Sequence, residues 1–308
     1  MLTINLHYVF FLKTNNIFFL SLFFSFVVNA QVIDNQLGNG FDQFPVFNSK
    51  YIKQNHIKEI KATYFTKKQG DIMRETPKHK TLSFDLLGRM NLDKEIAKTA
   101  GTKEINHTEY VYTTKGWVSK ERKKLGNNWK IKDFFYDTTG QIIKEEHHIE
   151  TILYSDSGYR VIDTLLDFET SRYKQYSNQK KRIVYNSYGN PFLDVIYYFN
   201  KSNQIIEIAK KQKITSEINE TKLFYNNKNQ VDSMVFFSSL SPNETESVYF
   251  TYDKSANILD KKHYINKKLT YRIEFVYNEK TGMLSSVIKQ EIANNFLSII
   301  RFETIYYD

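Results

Sequence analysis

One short pattern recurs along this chain and leaves little room for anything but a β-rich fold. A β-prone residue and an arbitrary one precede an aromatic, then usually Asp or Asn, two or three polar residues, Gly or Asn, and an apolar stretch. The clearest copies run Leu82-Ser83-Phe84-Asp85-Leu86-Leu87-Gly88, Phe134-Phe135-Tyr136-Asp137-Thr138-Thr139-Gly140 and Phe275-Val276-Tyr277-Asn278-Glu279-Lys280-Thr281-Gly282. Others are anchored at Phe65 with Gly70, Tyr112 with Gly116, Tyr154 with Gly158, Tyr185-Asn186 with Gly189, Phe199 with Asn203, Tyr225-Asn226 with Asn229 and Tyr252-Asp253 with Asn257; a further copy starts at Tyr307-Asp308.

The chemistry of the unit explains its residues. An Asp or Asn carboxyl or amide oxygen accepts a backbone N–H two residues on and starts a turn, and Gly or Asn tolerates the left-handed backbone that closes it. On either side the period is two: Leu269, Tyr271, Ile273, Phe275 and Tyr277 alternate with Lys268, Thr270, Arg272, Glu274 and Val276, the pattern of a half-buried strand. A second strand follows each turn, as in Gln141-Ile142-Ile143-Lys144, so each unit reads as a β-hairpin. Many units fall roughly 24 to 30 residues apart, the length of two ordinary strands and two turns. Two intervals, Tyr136 to Tyr154 and Tyr185 to Phe199, are shorter. No window shows a convincing helical period. The expected fold is therefore all-β: an array of about ten antiparallel β-hairpin repeats forming an extended, curved or partly closed twisted sheet over residues 61–308, behind an irregular linker at 31–60.

In Tyr136-Asp137-Thr138-Thr139-Gly140 and its relatives, from about Phe65 to Asp308, the chain resembles the YD repeat of the rearrangement-hotspot type. The resemblance implies strand pairs wound into β shells or sheets. Arg89 best matches the basic residue that commonly follows the glycine, and Asn replaces Asp or Gly in several copies. Large members of that family carry a toxin domain after the repeats; here the pattern runs to Asp308, so toxin activity and catalytic residues are not carried over.

The beginning of the chain speaks to its address. Ile17–Val28 reads IFFLSLFFSFVV, preceded by Lys13 and followed by small residues at Asn29-Ala30, which predicts a signal peptide over 1–30 cleaved before Gln31. It resembles those ending in Asn-Ala-Gln on secreted proteins of the Bacteroidetes type. The apolar run is shorter than the ~20 residues of a spanning helix. With no cysteine there is no disulfide, thiolate nucleophile or acylation site, so an exported chain would hold together by burial alone. The net charge of +9 loses only Lys13 with the leader, but the basic residues are scattered in short runs, which argues for solvated strand faces and against nucleic acid as the partner.

The sequence offers no catalytic, cofactor-binding or metal-binding residue to name. Glu145-Glu146-His147-His148 holds possible ligands, but adjacent strand residues face opposite ways. The glycines stand singly in turns, with no phosphate loop or nucleophile elbow. The expected function is a non-enzymatic exported scaffold, at the cell envelope or outside the cell, binding a protein or polysaccharide. One alternative is an outer-membrane β-barrel, against which stand charged segments such as Lys120-Glu121-Arg122-Lys123-Lys124. Another is an enzyme or toxin-system component with active groups in Gln31–Tyr51 or Asn91–Asn106.

Overall fold

The computed structural model describes residues 31–308 except 100, 101, 127, 156 and 157, so the predicted leader lies outside the described residues. A short helix, α1 (Ser49–Gln54), precedes eighteen strands. These are β1 (Ile57–Lys67), β2 (Arg74–Phe84), β3 (Met90–Thr99), β4 (Thr102–Tyr112), β5 (Val118–Leu125) and β6 (Asn128–Tyr136), then β7 (Ile142–Ser155), β8 (Gly158–Gln175), β9 (Gln179–Tyr185), β10 (Pro191–Phe199), β11 (Ile205–Gln212) and β12 (Ile218–Tyr225). The last six are β13 (Val231–Ser238), β14 (Glu246–Tyr252), β15 (Ile258–Ile265), β16 (Lys268–Tyr277), β17 (Leu284–Glu291) and β18 (Phe296–Tyr306).

Each strand pairs antiparallel with its predecessor and its successor, and β18 returns to β1 in a register running from Ile57 opposite Tyr306 to Lys67 opposite Leu297. The wall is a closed 18-stranded antiparallel barrel. This corrects the expected open or partly closed array of about ten hairpin units, and with it the picture of a YD-type repeat array. Counting aromatic–glycine turns undercounts the strands, because several turns lack that signature: Asn266-Lys267 joins β15 to β16, and Asn294-Asn295 lies between β17 and β18. Closure removes the two free edges that an open sheet would expose.

In such a meander successive turns alternate between two rims. Seven of the recognised turns share one rim: those after Phe84, Tyr112, Tyr136, Phe199, Tyr225, Tyr252 and Tyr277. The turns at Phe65–Gly70, Tyr154–Gly158 and Tyr185–Gly189 lie on the opposite one. That geometry accounts for the two short intervals, each of which steps from one rim to the other over a single strand or little more. The side chain of Tyr154 lies outside the described residues.

The first rim is built by a repeated device. Asp85 Oδ1 accepts the amides of Leu87 and Arg89, Asp137 Oδ1 those of Thr139 and Gln141, and Asn226 Oδ1 those of Lys228 and Gln230. Asn203 and Asn229 hold left-handed backbone at φ 60° and 61°; after Asp253 it is Ala256, at 68°, while Asn257 turns its side chain to Asp253 and to the Val32 amide. Each strand ending in the pattern shifts register at its aromatic residue, as at Val111/Tyr112 and Val276/Tyr277, a bulge that turns the ring toward the preceding strand. There the hydroxyl donates to the first residue of that strand: Tyr112 to Met90 O at 2.6 Å, Tyr136 to Val118 O at 2.7 Å, Tyr225 to Ile205 O at 2.6 Å, Tyr252 to Val231 O at 2.6 Å and Tyr277 to Ile258 O at 2.9 Å. Tyr307 instead reaches over β1 to Phe84 O, and its amide bonds His56 O, so the last tyrosine ties the seam.

The core is lopsided. Residues 31–55 fold back on β12–β18, β1 and β2 and bury Val32, Ile33, Phe41 and Ile52 against Leu82, Phe84, Met234, Phe250, Ile273 and Phe275. The helix α1 touches the β2–β3 turn through the Ser49 and Lys53 backbone and the β16–β17 turn through Tyr51. Those turns are separated around the wall by β17, β18, β1 and β2, so a helix that meets both cuts across one side of the mouth as a short chord, and the segment lies on the lumenal side. Around β3–β9 almost every lumenal side chain stays half-exposed, including Glu121, Lys132, His147, Glu169 and Arg182. That half of the lumen is open to water.

Candidate ligand cavity

Beside the N-terminal segment, between residues 44–49 and strands β2–β4, the lumen narrows into a cavity of about 410 Å³. One wall is aromatic. Phe44 stands edge-on to Phe302 at 5.6 Å between centroids, Phe47 to the same ring at 6.0 Å, and both help line the cavity. These rings are held because Phe41, further back, is edge-on to buried Phe275 at 5.4 Å and the segment is pinned by two small bridges, Ile33 with Phe47 and Phe41 with Pro45. Asn48 caps α1 by accepting the Lys50 amide.

The opposite wall is charged but internally matched. Lys80 Nζ sits 2.8 Å from Asp93 and 4.7 Å over the Phe44 ring; Arg89 pairs with Asp85 and stacks at 4.6 Å over Tyr112. Burial would raise the Asp85 carboxyl, but hydrogen bonds from the Arg89 side chain and amide outweigh it and hold the group below its ordinary value. Burial pushes the Tyr112 hydroxyl up, the Asp85 charge adding to it. With both cations paired, the cavity presents ring edges and oriented ion pairs.

A second lumenal cluster lies under the segment on β15 and β16. Lys261, 7% exposed, donates to Phe41 O at 2.6 Å, and desolvation lowers its pKa against the opposing pull of Asp42 and Glu246. His263 bonds Glu246 at 2.7 Å and Thr270 at 2.6 Å and stacks on Tyr271 at 4.4 Å. Burial, then Glu246 and Asp42, push the Tyr271 hydroxyl up to about 12. Every group here is engaged in holding the segment or its neighbours.

The pair His147-His148 is split between the two faces: His147 meets Asp167 at 2.7 Å on the lumenal face, His148 meets Asp163 at 3.2 Å on the other. Among the described residues no group of three or more His, Cys, Asp or Glu side chains is placed to hold a metal ion.

Following the pairings strand by strand from Lys261 identifies the outward face, and it carries ion pairs well inside the strands. Arg272 is bonded to Asp260 and lies 2.7 Å from Glu274; Asp194, 3% exposed, is held by Lys181 at 2.7 Å and Lys213 at 2.6 Å; Arg122 bridges Glu109 at 2.9 Å and Glu150 at 2.7 Å. Lys120 with Asp133 and Lys144 with Glu146 continue the belt. Of the aromatic lining, Phe84 and Tyr112 belong to the turn pattern, whereas Phe44, Phe47 and the outward belt were not marked by it. The signal available was the alternation of charged with apolar residues inside the strands, as in Arg272, Ile273, Glu274 and Phe275.

No family model matches the sequence, and no curated protein matches it. Several solved structures align with part of the chain at low scores. The TcdB2-TccC3-Cdc42 structure aligns at 14% identity and TM-score 0.30 over 69% of this chain, which spans 13% of that one. A porin-like protein from Bacteroides uniformis aligns at 9% identity and TM-score 0.38 over 81% of this chain and 98% of its own, and a LolA superfamily protein from Nitrosomonas europaea at 7% and 0.24 over 83% and 91%. Scores this low carry no argument about function, and kinship with the rearrangement-hotspot repeats is not shown.

Proposed function

We propose that the protein is a water-exposed, non-enzymatic binding barrel acting at the cell envelope or outside the cell, with a protein or polysaccharide as its ligand and the cavity beside Phe44 and Phe47 as its binding site. The closed wall is the architecture expected of the outer-membrane alternative, since only a closed sheet leaves no unpaired backbone in lipid. The observation that carries the reading away from lipid is the outward belt of ion pairs. Lys or Arg on the lipid face of a barrel costs roughly 2–4 kcal/mol near the bilayer midplane. Arg122 and Arg272, which stand mid-strand, would together cost about 4–8 kcal/mol there, comparable to the whole stability of a small domain, and Lys120, Lys144 and Lys181 nearer the rims would add less. Water on both faces removes that cost. The export half of the reading rests on the apolar run Ile17–Val28 and the small residues after it.

The test is a flotation experiment. Protein purified without detergent is mixed with phospholipid vesicles and spun through a density gradient; it is expected to stay at the bottom as a folded, detergent-independent species. Co-flotation with lipid-protected strands would establish the spanning barrel instead. Screening envelope polysaccharides and peptides then locates the ligand: binding lost in both Phe44→Ala and Tyr112→Ala belongs to the cavity, and binding untouched by either does not.

A further inference from the structure

One hairpin outgrows the wall. The pairing of β7 with β6 stops at Thr151, opposite Asn128, and that of β8 with β9 stops at Thr170, opposite Tyr185, yet β7 and β8 stay paired with each other to Ser155 and Gly158. From Tyr159 to Glu169, β8 therefore has a strand neighbour on one side only, among the described residues. An edge of that length displays a row of backbone donors and acceptors. Natural edges are blunted by charged side chains, above all lysine, by proline, by bulges or by brevity. This one holds neither Lys nor Pro and exposes Tyr159 at 72%, Val161 at 47%, Leu165 at 48% and Leu166 at 53%.

The edge is complementary to itself. Leu165 pairs with His148 and Asp167 with His147, which leaves Leu166 as the extra residue of a bulge and puts Tyr159, Val161, Asp163, Leu165, Leu166 and Phe168 on one face. Laid antiparallel against a second copy about a two-fold axis at Asp163, and stepped once at the bulge, the strand sets Ile162 opposite Thr164 and Val161 opposite Leu165 and Leu166. It then sets Arg160 opposite Asp167 and Tyr159 opposite Phe168, each pair twice, and every pair lies on a common face. Opposite charges and aromatic pairs at facing positions are the side-chain contacts that stabilise antiparallel strands. The one like-charge contact is Asp163 with its copy on the axis, and each Asp163 already has His148 Nδ1 at 3.2 Å.

We propose that β8 is a homodimerisation edge, joining two barrels by continuous antiparallel pairing of Tyr159–Phe168 with the same residues of a second copy of this chain. An isologous contact of this kind closes on itself and yields a dimer, not a fibre.

Sedimentation of the purified protein over a concentration series tests it. The wild-type protein is expected to show a monomer–dimer equilibrium. Arg160→Asp sets carboxylate against carboxylate at both ends of the pairing, and Asp167→Arg sets guanidinium against guanidinium. Each is expected to weaken self-association about tenfold, two pairs turning from attractive to repulsive. Mixed in equal amounts, the two variants regain opposite charges at both ends and should form a heterodimer of wild-type affinity. A wild-type protein that sediments as a monomer at every concentration overturns the proposal. So do two variants, each folded by circular dichroism, that fail to rescue one another.

Discussion

Gly88 and Gly116 occupy equivalent turns on the same rim, with φ of 76° and 85°, and differ in one respect. A Cβ on Gly116 would meet nothing within 4 Å, whereas one on Gly88 would lie 2.1 Å from Ser49 O and 2.7 Å from the Lys53 amide nitrogen. Alanine at Gly116 bears only the left-handed backbone penalty, about 1–2 kcal/mol. Alanine at Gly88 bears the same penalty and also drives the backbone of α1 outward by roughly 1.3 Å to regain ordinary contact. The helix cannot move so far without lifting Ile52, which is fully buried, from the lumenal wall. Partial loss of that burial adds about 2–3 kcal/mol, the lower part of the range for emptying a buried isoleucine site. Gly88→Ala is thus expected to cost about 3–5 kcal/mol and Gly116→Ala about 1–2. Urea denaturation of both variants, followed by circular dichroism and compared at unchanged slope, measures the difference. Equal costs would refute the packing of α1 against the β2–β3 turn and with it the short chord across one side of the mouth.

Two further outcomes follow from the rim and the outward belt. Tyr252→Phe removes two hydrogen bonds, to Val231 O and from Asn35 Nδ2, and should cost about 2 kcal/mol, whereas Tyr136→Phe removes the bond to Val118 O alone and should cost about 1; denaturation midpoints compare them. Asp194→Ala removes the partner of Lys181 and Lys213, whose side chains are 26% and 44% exposed and reach water, and should cost about 1 kcal/mol at neutral pH. Burial raises the Asp194 carboxyl, but bonds from the two lysines outweigh it and the folded-state pKa lies below 3.8. Its contribution is therefore fully present above the unfolded value and is lost as pH falls through the folded one, so the gap between wild type and variant should close in acid.

What was legible in the sequence was local. A turn such as Asp137–Gln141 closes within five residues through bonds from its own Asp, and the alternation in β16 names its buried and wet faces without reference to any other strand. Closure is a property of a different range: it rests on Ile57–Lys67 lying opposite Leu297–Tyr306, and no feature of either segment marks the other as its neighbour. The same distance hid the cavity, which exists because Phe44 and Phe47 fold back onto Phe302 and Lys80 packs over the Phe44 ring. The Tyr-Asp signature even misled the count, since turns from both rims were read as members of one series. Charge placement was legible in kind, as alternating charged and apolar residues, but its consequence for lipid needed the face assignment that closure supplies.

The seam between β1 and β18 also sets a timetable. Every other pairing in the wall joins strands adjacent in the chain, so seventeen of the eighteen contacts can form while synthesis is still under way. The eighteenth joins the two ends, with the highest loop-closure entropy in the molecule. Until Tyr307 arrives to bond Phe84 and His56, the protein is a curled ribbon with two live edges, and the interval before that bond is when it is most exposed to mispairing. A barrel sealed by its last-formed strand becomes a container only once that strand has reached the first.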